Sequence, residues 1–313
     1  MAEFDLIDLI RTRCAIMRDD VRLGIGDDAA LLAVPPGWQL AVSADTLVAG
    51  VHFPAATAPF DVGWKSLAVN LSDLAAMGAT PAWALLALTL PHGDVRWVAE
   101  FADGFAALAR EYKLALVGGD TTQGPLSITV TIHGFVPEGG ALLRSGARVG
   151  DAVYVTGTLG DAAGGLRGLD RADAAPLVER LNRPTPRVAQ GLLLRGRAHA
   201  CIDVSDGLAA DLGHIARASG VGALIDADSL PASPALLARF DTDARRALQL
   251  AGGDDYELCF TAPEEAGDLL DDLARSGCAA TKIGRIVAEP GVRVVAGDGS
   301  PVAIPRAGWE HFA

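Results

Sequence analysis

The sequence predicts a mixed α/β protein of two domains, on three observations. Its 313 residues exceed what one hydrophobic core usually serves. Strand-like and helix-like patterns alternate along most of the chain. Near the middle, PEGGALLRSGARVGD (137–151) has the glycine-rich, arginine-bearing composition of a connection. One domain is therefore set at 1–137 and the other at 148–313, with 138–147 joining them.

Taken in order, residues 3–13 read as an amphipathic helix with Phe4, Ile7 and Ile10 on one face. Leu40–Ser43 reads as a strand ending at Asp45. A longer helix spans 61–77, with Trp64, Leu67, Leu71, Leu74 and Ala75 on one side; Asn70 and Asp73 share another side, left open for a ligand. Ala82–Leu90 is a strand of the buried type, stopped by Pro91, and the stripe Trp97, Phe101, Phe105, Leu108 and Tyr112 marks the next helix. Leu114–Val117 forms a strand that runs into Gly118, Gly119 and Asp120. Strict alternation over 126–135 sets Leu126, Ile128, Val130 and Ile132 against Ser127, Thr129, Thr131 and His133, so one face of that strand is wet or meets polar partners. Beyond the connection come a strand at 152–156, helices near 161–168, 172–181 and 186–195, a short strand at 201–204, and further alternation to about Ile286.

Composition excludes several classes. A net charge of −13 argues against a nucleic-acid or anionic-membrane surface, since both demand a basic face, so phosphate binding needs a cation as intermediary. The longest apolar runs are too short to span a bilayer, and Glu3, Asp5 and Asp8 stand where a signal peptide carries positive charge; the expected location is the cytoplasm. Cys14, Cys201, Cys259 and Cys278 are scattered, with no zinc-type spacing, and read as reduced core thiols. The lysines, Lys65, Lys113 and Lys282, sit in no P-loop, and the protein-kinase motifs are missing.

Chemistry concentrates in six segments built alike, small residues leading into carboxylates: GIGDDAAL (24–31), SADTLV (43–48), NLSDLAAMGA (70–79), GGDTT (118–122), DVSDGL (203–208) and GGDDYEL (252–258). Each alone is ordinary turn or cap chemistry. Together they offer the hard oxygen ligands Mg²⁺ prefers, in backbone that a ligand can approach closely. Gly24-x-Gly26-x-x-Ala29 lacks the following helix that a dinucleotide fingerprint needs, because Pro35 and Pro36 intervene. TGTLGDAAGG (156–165) sits between strand and helix, where its amides are placed to meet phosphate. Arg144 suits a forked contact to phosphate, whereas Arg148 reads equally as a solvated connector residue. His52 follows SADTLVAGV closely enough to lie near carboxylates, and Trp309 either stacks on a ligand or pins the C-terminus.

From about Leu23 to Phe312, the ordered set LGIGDDAAL, DTLVAGVHF, AVNLSDLAAMGA, GGDTTQGPLSITVTIHGFVP, RSGARVGD, VYVTGTLGD, IDVSDGL and GGDDYELCF resembles the thiamine-monophosphate kinase family of the aminoimidazole ribonucleotide synthetase-like superfamily. The resemblance implies two domains of that α/β (α+β) fold, the N-terminal one forming a β-barrel shared across a homodimer. It implies that Asp28, Ser43, Ala44, Asp45, Asp73, Asp120, Asp203 and Asp206 hold several Mg²⁺ ions, and that Gly119, Asp120, Arg144 and Ser205 contact ATP. His52, Asp254 and Trp309 match the positions that meet thiamine monophosphate. Two departures stand out: Ala44 replaces a frequent threonine, leaving a backbone oxygen to serve, and Asp254 is one methylene shorter than the usual glutamate.

The implied reaction is direct in-line transfer from ATP to thiamine monophosphate with no general base, since the acceptor phosphate is already ionised near neutral pH. Two alternatives share the acidic cradle, a ring-closing or amidine-forming synthetase and a Mg–ATP sensor without turnover. A selenium-phosphate synthetase fits less well, lacking a cysteine and lysine in a glycine-rich N-terminal loop.

Overall fold

Helix α1 (Glu3–Arg13) opens the chain, followed by the short strands β1 (Val21–Leu23) and β2 (Leu31–Leu32), strand β3 (Trp38–Val48) and helix α2 (Pro59–Ala76). Next come β4 (Thr80–Leu90), α3 (Val95–Glu111), β5 (Ala115–Gln123) and β6 (Ser127–Pro137). The computed structural model describes residues 3–304 and Gly308. Two units result, one running through Leu74 and resuming over Ala79–Gly139, the other made of Ala75–Gly78 and the chain from Gly140 onward.

In the first unit the sheet order is β3-β6-β4-β5, with β4 and β5 parallel and the other pairs antiparallel. The sheet is open, with β3 and β5 as its edges. Leu47, Leu86, Leu88, Ile128, Val130 and Ile132 bury one face. Helix α2 lies against that face, bringing Leu74 to Gly134. The opposite face keeps Leu40, Val42 and Leu85 exposed. At one corner of it, Val21, Ala30 and Leu32 of the β1–β2 hairpin pack on Trp83, Val117 and Phe135. A latch fixes the hairpin: Arg18 forks onto Asp20, which also accepts the Trp83 Nε1–H at 2.9 Å. Chiefly through Arg18, this holds the Asp20 carboxyl below its ordinary range.

Helices α2 and α3 approach closely enough that a Cβ on Gly104 would sit 1.9 Å from the Phe60 carbonyl oxygen, and one on Gly63 would sit 2.0 Å from that of Phe101. Because the obstacle is backbone, Gly104→Ala forces the helices apart. The overpacking penalty, about 3 kcal/mol, exceeds the roughly 1 kcal/mol that alanine contributes as a better helix former. Chemical denaturation should therefore show a net loss of about 2 kcal/mol; a stabilised variant would contradict the close crossing.

The second unit contains β7 (Ala152–Thr156), α4 (Asp161–Leu166), α5 (Ala175–Asn182), α6 (Val188–Leu194), β8 (Ala200–Asp203), α7 (Leu208–Ser219) and β9 (Gly222–Asp226). It continues through α8 (Pro234–Arg239), α9 (Thr242–Ala251), β10 (Leu258–Ala262), α10 (Gly267–Arg275), β11 (Ala280–Val287) and β12 (Gly291–Val295). Its sheet, ordered β12-β9-β11-β7-β10-β8, is antiparallel except at the β12–β9 edge. Val153, Val155, Ile202, Leu212, Ile225 and Ile283 belong to the core that joins the sheet to α7. All four cysteines are buried and free. Among the described residues no helix is long and apolar enough to cross a membrane.

Several sequence expectations shift. β3 does not stop at Asp45 but pairs with β6 through Val48, and β5 continues past Gly118 to Gln123 along β4, so Asp45 and Asp120 both lie within strands. On α1 the buried positions are Leu6 and Ile10, while Phe4 is exposed.

Candidate functional site

The first unit divides its acidic residues between the two faces of its sheet. Asp45 stands in register with Val130, Leu86 and Gly119, one step from Asp120, so pleating sends the two carboxylates to opposite sides. On the helix-covered side, Ser43 Oγ–H donates to Asp73 Oδ2 at 2.5 Å. Asn70 accepts the Asp45 N–H at 3.2 Å and donates to the Ser66 carbonyl at 3.0 Å. This corrects the expectation that the Asn70–Asp73 face is open: Asn70 is fully buried, a strut between α2 and β3, while Asp73 stays half-buried.

On the other side, Asp28 and Asp120 line one cavity of about 970 Å³. Its wall includes Gly119, Thr129, Thr131 and His133, and it extends to Ile7 and Arg11 of α1. The polar half of the alternating strand 127–135 thus faces this cavity. Burial lowers the His133 pKa, and its Nδ1 has no hydrogen-bond partner among the described residues. Gly119 has φ 150°, and a Cβ there would fall 1.9 Å from the Leu86 carbonyl oxygen, so no side chain fits beside Asp120. Ala44 sits on this exposed side too, opposite Thr131. His52 follows β3, its Nδ1 accepting the Val48 N–H at 2.9 Å.

In the second unit, Asp203 ends β8, nearly buried, and the chain turns through Ser205 and Asp206 into α7. The helix has no side-chain cap in the usual place. Instead Asp211, one turn in, accepts the N–H groups of Ser205, Asp206 and Gly207 on Oδ2 at 3.0, 3.1 and 3.1 Å. Burial, and then the charge of Asp206, push the Asp211 carboxyl up to about 7, against the pull of those three amides. The sequence reading missed Asp211; an aspartate inside a helical run carries no local sign that it reaches back to the preceding loop.

GGDDYEL packs against the same loop, the Asp254 N–H donating to the Ser205 carbonyl at 2.9 Å and the Tyr256 N–H to that of Val204 at 2.8 Å. Asp254 and Tyr256 have φ 71° and 51°. Such left-handed backbone costs on the order of 1–3 kcal/mol for a residue with a side chain, and persists only where its surroundings enforce it. Next to them, Asp255 Oδ2 accepts the Gly160 N–H at 2.7 Å, and burial pushes this carboxyl well above its ordinary range. Glu257, fully buried, receives Arg180 at 2.9 Å, Arg187 at 2.5 Å and the Thr156 hydroxyl at 2.7 Å.

In the glycine loop 156–165 three amides are already committed, Gly157 N–H to the Ala279 carbonyl, Leu159 N–H to that of Pro231 and Gly160 N–H to Asp255, so these three do not point at a phosphate. Arg144 is exposed on the segment after Gly140, and Trp309 lies outside the described residues. Among the described residues, no three His, Cys, Asp or Glu side chains gather into a ready-made metal cage.

This architecture belongs to a known class. The AIR synthase related protein N-terminal domain family matches residues 26–136 and the C-terminal domain family matches 148–297, so the chain is an AIR synthase related protein. The thiamine-monophosphate kinase of Salmonella typhimurium (strain LT2) is 50% identical over 320 residues, covering 99% of this chain and 98% of that protein. The chain belongs to the thiamine-monophosphate kinase family. Among solved structures, the thiamine-monophosphate kinase from Stenotrophomonas maltophilia K279a is 55% identical with a TM-score of 0.88, over 96% of this chain and 98% of that one. AaThiL complexed with AMPPCP and TMP is 34% identical with a TM-score of 0.80, over 99% and 97%.

Proposed function

We infer that this chain transfers the γ-phosphoryl group of ATP to thiamine monophosphate, giving ADP and thiamine diphosphate. The reading is carried by near full-length likeness to thiamine-monophosphate kinases, among them AaThiL, which was solved with AMPPCP and TMP.

The residues suit Mg²⁺. Carboxylate, hydroxyl and backbone oxygens are all hard donors, and Asp28 and Asp120 share a roomy cavity. Mg²⁺ usually takes one or two carboxylates and completes its octahedron with water and substrate phosphate, so a site of sparse carboxylates fits it better than a closed cage would. Asp28, Asp45, Asp73, Asp120, Asp203 and Asp206 would hold the ions, with Ser43 Oγ and the Ala44 carbonyl as further oxygens. When bound, the ions offset the repulsion between donor and acceptor phosphates and keep them in line. Gly119, Arg144 and Ser205 bind ATP, whereas His52, Asp254 and Trp309 meet the thiamine moiety. An acceptor that is already an anion needs no general base, so the aspartates serve as scaffold and not as nucleophiles.

A second copy of the chain pairs on the open sheet face, where Leu40, Val42 and Leu85 are exposed, and closes the two sheets into a barrel. The enzyme works in the cytoplasm.

Phosphorus NMR of ATP and thiamine monophosphate incubated with the protein tests the assignment. Thiamine diphosphate should accumulate with ADP, stop on adding EDTA and resume with excess Mg²⁺. Release of orthophosphate alone, or turnover indifferent to EDTA, would refute it.

A further inference from the structure

We propose that Tyr256 is a positioning residue that fixes the carboxylate of Asp254 for thiamine monophosphate; this rests on the reading of Asp254 as a substrate contact. Among the described residues three non-glycine positions have positive φ, Lys113, Asp254 and Tyr256, and two of them fall within one tripeptide. Aspartate tolerates that backbone, but a bulky aromatic residue adopts it rarely. The turn is enforced from outside, by the two bonds onto the carbonyls of Ser205 and Val204 and by the anchored side chains of Asp255 and Glu257 on either side of Tyr256.

The consequence is local. The left-handed turn folds the buried Tyr256 ring back towards its own chain, and its hydroxyl donates to Asp254 Oδ1 at 3.1 Å. Holding one oxygen fixes the plane and depth of the carboxylate. That matters more here than with glutamate, because an aspartate one methylene shorter cannot make up a misplacement by extending. A fixed carboxylate suits an acceptor whose organic end is cationic and bears N–H donors.

The test is a double-mutant cycle of Tyr256→Phe, Asp254→Ala and the pair, with steady-state kinetics in both substrates. Tyr256→Phe should raise KM for thiamine monophosphate about tenfold, the usual scale for one hydrogen bond to a charged group, while kcat and KM for ATP move less than about twofold. Asp254→Ala should raise the same KM at least as much, and the double variant no further. Tyr256→Phe with unchanged KM beside an impaired Asp254→Ala overturns the positioning role alone. Multiplying losses in the double variant do so too, since Tyr256 would then act independently of Asp254. An unaffected Asp254→Ala sinks the reading of Asp254 as a substrate contact, and the proposal with it.

Discussion

Asp120→Asn should lower kcat by about 10²–10³-fold at saturating Mg²⁺, the scale on which one electrostatic contact to a transition state acts. The substitution keeps size and one carbonyl oxygen but removes the charge that the proposed metal contact needs. Asp120 is exposed on the cavity wall, where a substitution usually changes stability by less than about 0.5 kcal/mol. The melting temperature should therefore stay within about 2 °C of the parent, separating catalytic loss from unfolding. Unimpaired turnover would remove Asp120 from the machinery.

Glu257→Ala should show the reverse pattern, with stability as the main loss. Glu257 is fully buried, and removing it takes the carboxylate from the Arg180 and Arg187 guanidinium groups and the acceptor from the Thr156 hydroxyl, which keeps only the N–H it receives from Leu258. Breaking a buried ion pair costs about 3–5 kcal/mol. Here Arg180 and Arg187 retain 22% and 15% of their side-chain exposure, so water recovers part of that and the expected loss is about 3 kcal/mol, the lower end. In a melting curve this corresponds to a drop of roughly 6–12 °C for a unit of this size. Glu257→Gln, which keeps the shape and an acceptor for Thr156, should fall between. A melting temperature unchanged by Glu257→Ala would show that the cluster contributes nothing to stability.

Local patterns in the sequence carried most of the elements, because helix stripes such as Trp97–Phe101–Phe105 and the alternation of 127–135 are set by near neighbours. What they missed depends on partners far along the chain. GGDTT reads as a turn, yet pairing with β4 extends it into a strand. The candidate aspartates were legible one by one, whereas the face each occupies was not: register with Val130 and Leu86 sends Asp45 one way and Asp120 the other. Likewise the amides of 156–165 looked available until Asp255, about a hundred residues on, claimed that of Gly160. Asp211 and Tyr256 escaped notice, and Asn70 was read as facing a ligand, because each acts on another residue's backbone or side chain.

The central claim is that the aspartates hold metal and phosphate in place and never form a bond to the transferred phosphorus. The stereochemistry at that phosphorus tests it most directly, using ATP made chiral at the γ-position with oxygen isotopes. A single in-line displacement predicts inversion in the thiamine diphosphate formed. Retention would signal two displacements through a phosphorylated enzyme carboxylate and would contradict the scaffold role assigned to the aspartates.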